Sequence, residues 1–208
     1  MTTQIFGNPD AKSVLIQAVD RQSLAATAEY AGTLSDPASA DFCLKAVIVD
    51  DWFRDLSPWT AAAVFGNNAF GDGAAGTLDQ ILDLCTDTGR KYYIGGYSLS
   101  GLFALWSAYQ TDIFAGVAAA SPSVWFPGFT DYMKDHDIRC GAVYLSLGDA
   151  ESRTRNKVMA TVDDCIRSAY DTLSQQGRRC ILEWNRGNHF TDVGMRCARA
   201  FAWIMNNA

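Results

Sequence analysis

Ser98 lies in a short segment whose residue types and spacing can turn a serine hydroxyl into a nucleophile. Residues 96–101 read Gly-Tyr-Ser-Leu-Ser-Gly, with an apolar strand-like run before them and a helix-like run after them. A sharp turn from strand to helix holds the serine backbone in a strained conformation and lifts its Oγ above the sheet. The turn needs small residues two positions before and after the serine. Gly96 meets this need, and Ser100 replaces the expected second glycine. The flanking strand and helix favour a nucleophile over an ordinary Gly/Ser turn.

A serine nucleophile needs a general base that titrates near neutral pH, which in proteins is usually histidine. The chain has two histidines. His136 lies in the charged stretch 134–137, which is typical of a solvated loop. His189 follows the last strand-like run and precedes the last helix-like run. This position after the last strand-like run favours His189 as the base.

Serine and histidine form a proton relay, and its third member is a carboxylate that orients the histidine. The loop after the penultimate strand-like run offers Asp149 and Glu151. The chain order of serine, acid and histidine is the order that accompanies a Gly-x-Ser-x-Gly turn between strand and helix. The spacing from Gly148 favours Glu151, with Asp149 shaping the turn, and the opposite assignment stays open.

An acyl-transfer transition state also needs two N–H donors for its oxyanion. The first is expected from the backbone of Leu99, the residue after the nucleophile. The second should come from a loop after an earlier strand, and the run 47–49 leads into such a loop. There the backbone of Asp51 or of Trp52 is the candidate donor, and we favour Trp52.

The elements that must position these residues alternate along the chain. Short, nearly continuous apolar runs are typical of parallel strands buried on both faces, and amphipathic stretches between them predict helices. One helix is expected to start with Thr77 as its N-cap, and the last to span roughly 192–205. The pattern predicts a three-layer α/β fold in a single domain over residues 1–208. The predicted strands are 14–19, 45–49, 91–95, 116–120, 142–147 and 180–184.

Composition narrows the possible partners and cofactors. The net charge is −6 and the basic residues are scattered, which argues against a nucleic-acid partner. The six cysteines form no Cys-x-x-Cys pair, so we expect buried free thiols, no metal and no cofactor. The polar start of the chain lacks a signal-peptide core, and no run of about 18 apolar residues predicts a membrane span. A cytoplasmic protein with no membrane partner is therefore expected.

Four stretches together resemble the α/β-hydrolases, and within them the esterase D-like group of siderophore, feruloyl and acyl-sugar esterases. They are 96–101, the run 114–125 with its Ser-Pro-Ser-Val-Trp, the acid loop 146–151, and Gly-Asn-His-Phe at 187–190. The resemblance runs from about Ile48 to the C-terminus. It implies an α/β-hydrolase fold with a mostly parallel central sheet, helices on both faces, and little or no lid. Residues 20–44 match nothing in the group.

The resemblance implies hydrolysis of small or medium carboxylic esters through an acyl-serine intermediate, without a metal. An acyltransferase or thioesterase would use the same residues, and a non-catalytic binding module on the same scaffold is a third hypothesis. Phe126, Pro127, Phe129 and Tyr132, which follow the fourth predicted strand, could line an open pocket or simply pack in the core. The glycine-rich stretch 66–76 lacks the Gly-Lys-Ser/Thr of a phosphate-binding loop, and a surface loop leading into a helix is expected there.

Overall fold

The computed structural model describes residues 2–34 and 41–208. Seven strands and seven α-helices follow one another along these ranges. The strands are β1 (Thr2–Gly7), β2 (Ser13–Val19), β3 (Phe42–Ile48), β4 (Lys91–Tyr97), β5 (Phe114–Ala120), β6 (Ala142–Gly148) and β7 (Arg179–Asn185). The helices are α1 (Leu24–Leu34), α2 (Trp52–Asp55), α3 (Ala74–Leu82), α4 (Leu99–Gln110), α5 (Phe129–Asp135), α6 (Val162–Gln175) and α7 (Val193–Asn207).

The strands form one sheet in the order β1-β3-β2-β4-β5-β6-β7. Only the pairing of β1 with β3 is antiparallel, and every other neighbouring pair of these strands is parallel. The carboxyl ends of β2 to β7 therefore meet at one edge, where ligands bind in open α/β sheets. Strand β4, which leads into Ser98, lies between β2 and β5.

Each face of the sheet is covered by its own layer of helices. Along β6, Val143 and Leu145 pack into one apolar cluster with α4 and α6, whereas Ala142 and Tyr144 pack into a second cluster with α1 and α7. Alternate side chains of a strand point to opposite faces, so one apolar strand supplies both cores. The expected three-layer fold with a mostly parallel sheet is confirmed.

Three expectations on individual elements need correction or completion. Strand β1 was not predicted, because its residues alternate too weakly and lie half exposed at the antiparallel edge. Thr77 does not cap α3: the helix begins earlier, at Ala74, and Thr77 is buried inside it. The stretch 20–44 contains α1 and the start of β3, and its residues 35–40 lie outside the described part of the chain.

The segment between β5 and β6 packs onto the core. Phe126 and Phe129 are buried, and the Trp59 ring contacts both of them. Of the two roles open to these phenylalanines, the structure therefore supports core packing. Helix α5 in the same segment contacts α6.

All six cysteines are free thiols. Cys43, Cys140 and Cys197 are buried, and the other three are half buried. Among the described helices, none combines the length and apolarity that a bilayer crossing requires.

Candidate active site

The turn between β4 and α4 holds Ser98 in an unusual backbone conformation. Its φ of 58° and ψ of −122° lie in a region that side chains rarely adopt. Gly96 is required here, because a Cβ on it would lie 2.1 Å from the Ser100 Oγ. The Ser100 hydroxyl, which stands in place of the expected glycine, is buried and donates a hydrogen bond of 2.7 Å to the Ala18 carbonyl at the end of β2. Serine in place of glycine therefore links the turn to the neighbouring strand by a hydrogen bond.

His189 lies in the loop between β7 and α7, and its imidazole faces the serine. The His189 Nε2 is 3.0 Å from the Ser98 Oγ. The Tyr97 hydroxyl donates a 2.9 Å hydrogen bond to the His189 carbonyl, which fixes the loop backbone against β4. Burial raises the pKa of Tyr97 to about 12, so this hydroxyl keeps its proton at neutral pH. The geometry leaves Nε2 free to accept the serine proton.

Glu151 contacts the other imidazole nitrogen. Its Oε2 lies 2.7 Å from the His189 Nδ1, and its side chain is 3% exposed. Its Oε1 accepts hydrogen bonds from the Ser121 hydroxyl, the Gly148 N–H and the Arg196 guanidinium. Burial alone would raise the pKa of Glu151, but the hydrogen bonds from His189, Ser121 and Gly148 outweigh it and hold the pKa below its ordinary value. Glu151 is therefore ionised at neutral pH.

Asp149 lies in the same loop but contacts the backbone of a neighbouring loop. Its Oδ1 accepts a 2.9 Å hydrogen bond from the Gly187 N–H, and its own N–H donates to the Asn185 carbonyl at 2.8 Å. Asp149 thus ties the loop after β6 to the loop that carries His189. Of the two carboxylates that the sequence left open, the structure brings Glu151 to the histidine.

The candidate oxyanion donors differ in how free they are. Leu99 and Trp52 each begin a helix, so their N–H groups have no acceptor within it. The Asp51 N–H is already committed, because it donates to the Asp55 Oδ2 at 2.9 Å. Between the two residues that the sequence proposed for the second donor, Trp52 is thus the one left available.

The strand order indicates another loop that could supply the second oxyanion donor, one that the sequence did not suggest. Strand β2 is the direct neighbour of β4, whereas β3, which leads to Trp52, is one strand further away. The loop after β2, residues 20–23, therefore starts beside the turn that holds Ser98. A strand order different from the chain order is invisible in a single sequence, which is why this loop was missed.

A small cavity of about 80 Å³ opens next to this turn. It is bounded by Tyr97 and Ser100, which flank the nucleophile, and by Trp52. Tyr30 and Gln17 also line the cavity, and the Tyr30 hydroxyl donates to the Gln17 side-chain carbonyl. Room for a small group therefore exists beside the turn.

Ser123 contacts the nucleophile. The Ser123 Oγ lies 3.3 Å from the Ser98 Oγ, and its N–H donates to the Ser98 carbonyl. The other histidine, His136, is exposed and stacks on Tyr132. Across residues 2–34 and 41–208, no group of three or more His, Cys, Asp or Glu side chains could hold a metal ion.

Known structures share this architecture, although no protein-family model matches the sequence and no curated protein is similar to it. The IroE-like serine hydrolase of Shewanella oneidensis superposes with a TM-score of 0.77 at 14% identity, over 97% of this chain and 74% of that one. The chain has the α/β-hydrolase fold. The resemblance seen in the sequence is thereby confirmed for the fold.

Two other α/β-hydrolases give a similar match. The siderophore hydrolase EstA of Aspergillus nidulans has a TM-score of 0.65 at 18% identity, over 97% of this chain and 86% of that one. The acyl-protein thioesterase 2 of Zea mays has a TM-score of 0.61 at 14% identity, over 99% of this chain and 98% of that one. The last comparison pairs two chains of nearly equal extent.

Proposed function

We propose that the protein is a serine hydrolase that cleaves carboxylic esters of small or medium size through an acyl-serine intermediate. The observation that carries the proposal is the continuous relay from the Ser98 Oγ through the His189 imidazole to the Glu151 carboxylate, with separations of 3.0 and 2.7 Å. Both distances are within hydrogen-bond reach, and the first lets the serine proton pass to its base. The α/β-hydrolase fold, in which such relays recur, is consistent with it.

The reaction begins with the transfer of the Ser98 proton to the His189 Nε2. As the proton leaves, the Ser98 Oγ attacks the ester carbonyl and a tetrahedral oxyanion forms. The Glu151 carboxylate holds the Nδ1 proton and stabilises the imidazolium that results. His189 then protonates the departing alcohol oxygen, and the acyl group stays on the serine.

Deacylation repeats these steps with water as the nucleophile. His189 removes a proton from the water, which attacks the acyl-serine carbonyl, and then returns a proton to the Ser98 Oγ. In both steps the Leu99 N–H and one further N–H would bind the oxyanion, from Trp52 or from the loop 20–23. Loss of one such donor typically costs about 3 kcal/mol of transition-state stabilisation.

Thioester hydrolysis is a second candidate, which the full-length similarity to the maize thioesterase favours. The same relay serves both reactions, because the attack on the carbonyl is the same and only the leaving group differs. Transfer of the acyl group to an acceptor other than water is the related acyltransferase reaction. We place the ester hydrolase first, because alcohol leaving groups need the proton that His189 is positioned to deliver.

Turnover of matched substrates tests the proposal. We would measure hydrolysis of p-nitrophenyl acetate, p-nitrophenyl butyrate and the corresponding thioesters by the wild type, Ser98→Ala and His189→Ala, with His136→Ala as the histidine control. We expect turnover by the wild type and His136→Ala, and a loss of roughly 10⁴-fold or more in the other two. Equal turnover by Ser98→Ala and the wild type would overturn the proposal. Thioester turnover without ester turnover would favour the second candidate.

A further inference from the structure

Arg196 is an arginine with no solvent exposure, at the end of the first turn of α7. A buried guanidinium is costly unless charged and hydrogen-bonding partners surround it. A helix position with this residue type would ordinarily face solvent. The contacts of its nitrogens must therefore compensate the cost of burying its charge.

One terminal nitrogen of Arg196 holds the acid of the relay. The Arg196 Nη1 donates to the Glu151 Oε1 at 2.8 Å, to the Tyr97 hydroxyl at 3.0 Å and to the Ser121 hydroxyl at 3.1 Å. Since Oε1 also accepts from the Gly148 N–H, this oxygen is fully engaged and Oε2 is left to face His189. The contacts therefore fix the rotation of the carboxylate.

The other terminal nitrogen holds the loop that carries the base. The Arg196 Nη2 donates to the Asn188 carbonyl at 3.2 Å and to the Arg186 carbonyl at 3.4 Å. Asn188 directly precedes His189, whose own carbonyl is bound by the Tyr97 hydroxyl. One guanidinium thus links the acid loop, strand β4, the end of β5 and the histidine loop.

We propose that Arg196 is a positioning residue that sets the orientation and the protonation of the Glu151–His189 pair. The proposal rests on the proposed function, in which this pair activates Ser98. Arg196 does not touch the reacting atoms and acts through the two groups that do.

The charge of Arg196 gives the proposal a signature in the pH dependence. A positive charge beside the pair favours ionised Glu151 and disfavours protonated His189, so its loss favours the protonated form of both. Of the other titratable groups nearby, Tyr97 from β4 binds the His189 carbonyl, Cys197 follows Arg196 on α7, and Asp149 lies two residues before Glu151 and binds Gly187. Burial raises the pKa of both Tyr97 and Cys197 to about 12, so neither changes charge across a neutral assay range.

The test compares Arg196→Gln and Arg196→Lys with Arg199→Gln, a control on the exposed face of α7 where Arg199 binds Glu183. All variants carry His136→Ala, so that His189 is the remaining histidine. We would measure kcat and KM for p-nitrophenyl acetate from pH 5 to 9, the thermal unfolding midpoint, and the far-downfield proton NMR signal of an imidazole Nδ1–H bound to a carboxylate.

For Arg196→Gln we expect kcat to fall roughly 10- to 100-fold with KM nearly unchanged, as for other groups that orient a histidine. The acidic limb of the kcat/KM profile should move to higher pH by about 1 unit, the usual effect of one nearby charge. The downfield signal should weaken or vanish. Arg196→Lys keeps the charge but loses the forked contacts, so kcat should fall while the acidic limb stays in place.

Arg199→Gln should match the parent in all readouts. If Arg196→Gln folds and keeps the acidic limb and the downfield signal of the parent, the proposal is overturned. If Arg196→Gln fails to fold, Arg196→Lys decides, and an unchanged kcat in that variant overturns it as well. A parent that shows the downfield signal but hydrolyses no ester would contradict the proposed function, and the NMR comparison of the Arg196 variants would still test the positioning.

Discussion

At the scale of single residues, the partners of a side chain decide its task more than its type does. Asp149 and Glu151 are two carboxylates in one loop, two positions apart. The first accepts a backbone N–H from Gly187 and closes a loop, whereas the second is buried against His189. Two residues apart in one loop, the two carboxylates thus have different partners.

These different partners predict different losses of activity when each of the two acids is replaced by its neutral amide. Glu151→Gln should lower kcat/KM for p-nitrophenyl acetate by about 10²- to 10⁴-fold, because an amide no longer stabilises the imidazolium. Asp149→Asn keeps an oxygen for the Gly187 N–H and should stay within about tenfold of the wild type. Steady-state kinetics at pH 7.5 measure both. A larger loss in Asp149→Asn than in Glu151→Gln would reverse the assignment.

The sequence pointed to most of the residues that the structure assembles. Ser98 and His189 were found because their positions after strands are readable in the apolar pattern. The spacing favoured Glu151 without deciding for it, since contacts between loops are not written in the chain order. Arg196 was missed because an arginine in an amphipathic helix is normally assigned to the exposed face, and only the packing of α7 against β4 and β5 shows its burial.

At the scale of elements, the turn from β4 to α4 depends on close backbone approach. Its first glycine, Gly96, lies against Ser100, whose hydroxyl is in turn bound to the Ala18 carbonyl. The turn is therefore packed against β2 as well as strained at Ser98. Serine fits at the second small position because its hydroxyl finds this buried acceptor.

A double-mutant cycle at Gly96 and Ser100 tests this packing. We expect Gly96→Ala to lower the free energy of unfolding by about 1–3 kcal/mol, since the new Cβ would overlap the Ser100 side chain and lie 2.7 Å from the Ser100 carbonyl carbon. Ser100→Gly alone should cost about 1 kcal/mol for the lost hydrogen bond. The double variant should be more stable than the sum of the two losses implies, which chemical denaturation can measure. Strict additivity would contradict the contact.

The apolar pattern predicts the presence of most strands and helices better than it predicts their boundaries. Six of the strands were anticipated near their observed places, because apolar runs of this kind are typical of buried parallel strands. The start of α3 was misjudged, since Thr77 has the residue type of an N-cap but is buried by tertiary packing. The antiparallel strand β1 was missed because most of its residues are exposed and show no regular alternation.

At the scale of the whole molecule, the order of the strands assembles the site. The carboxyl ends of β4, β6 and β7 deliver Ser98, Glu151 and His189 to one edge of the sheet. The order also puts β2 beside β4, which brings residues 20–23 to the same edge. This neighbourhood could not be derived from alternating strands and helices, which fit several sheet orders.

The burial of Glu151 links the stability of the whole molecule to pH. Because its pKa is lowered on folding, ionised Glu151 contributes stability above its ordinary pKa, and this contribution is lost as the pH falls through the lowered value. As the pH falls from about 5 to about 3.5, the difference in unfolding free energy between the wild type and Glu151→Gln should therefore shrink. Urea denaturation from pH 3.5 to 7 measures it.

The control for this pH dependence is Glu29→Gln, at an exposed position on α1. We expect its stability to follow that of the wild type at each pH. A gap between the wild type and Glu151→Gln that stays constant or widens as the pH falls from about 5 to about 3.5 would contradict the contribution assigned to the buried carboxylate.

The central claim is that the Ser98 Oγ is an activated nucleophile, and covalent labelling tests it most directly. We would treat the intact protein and Ser98→Ala with a fluorophosphonate probe, measure the mass gained, and map the labelled peptide. The relay predicts one label per chain on Ser98, none on Ser98→Ala, and slow labelling of His189→Ala. An unlabelled wild type, or labelling that persists in Ser98→Ala, would contradict the account and leave a non-catalytic protein on an α/β-hydrolase scaffold.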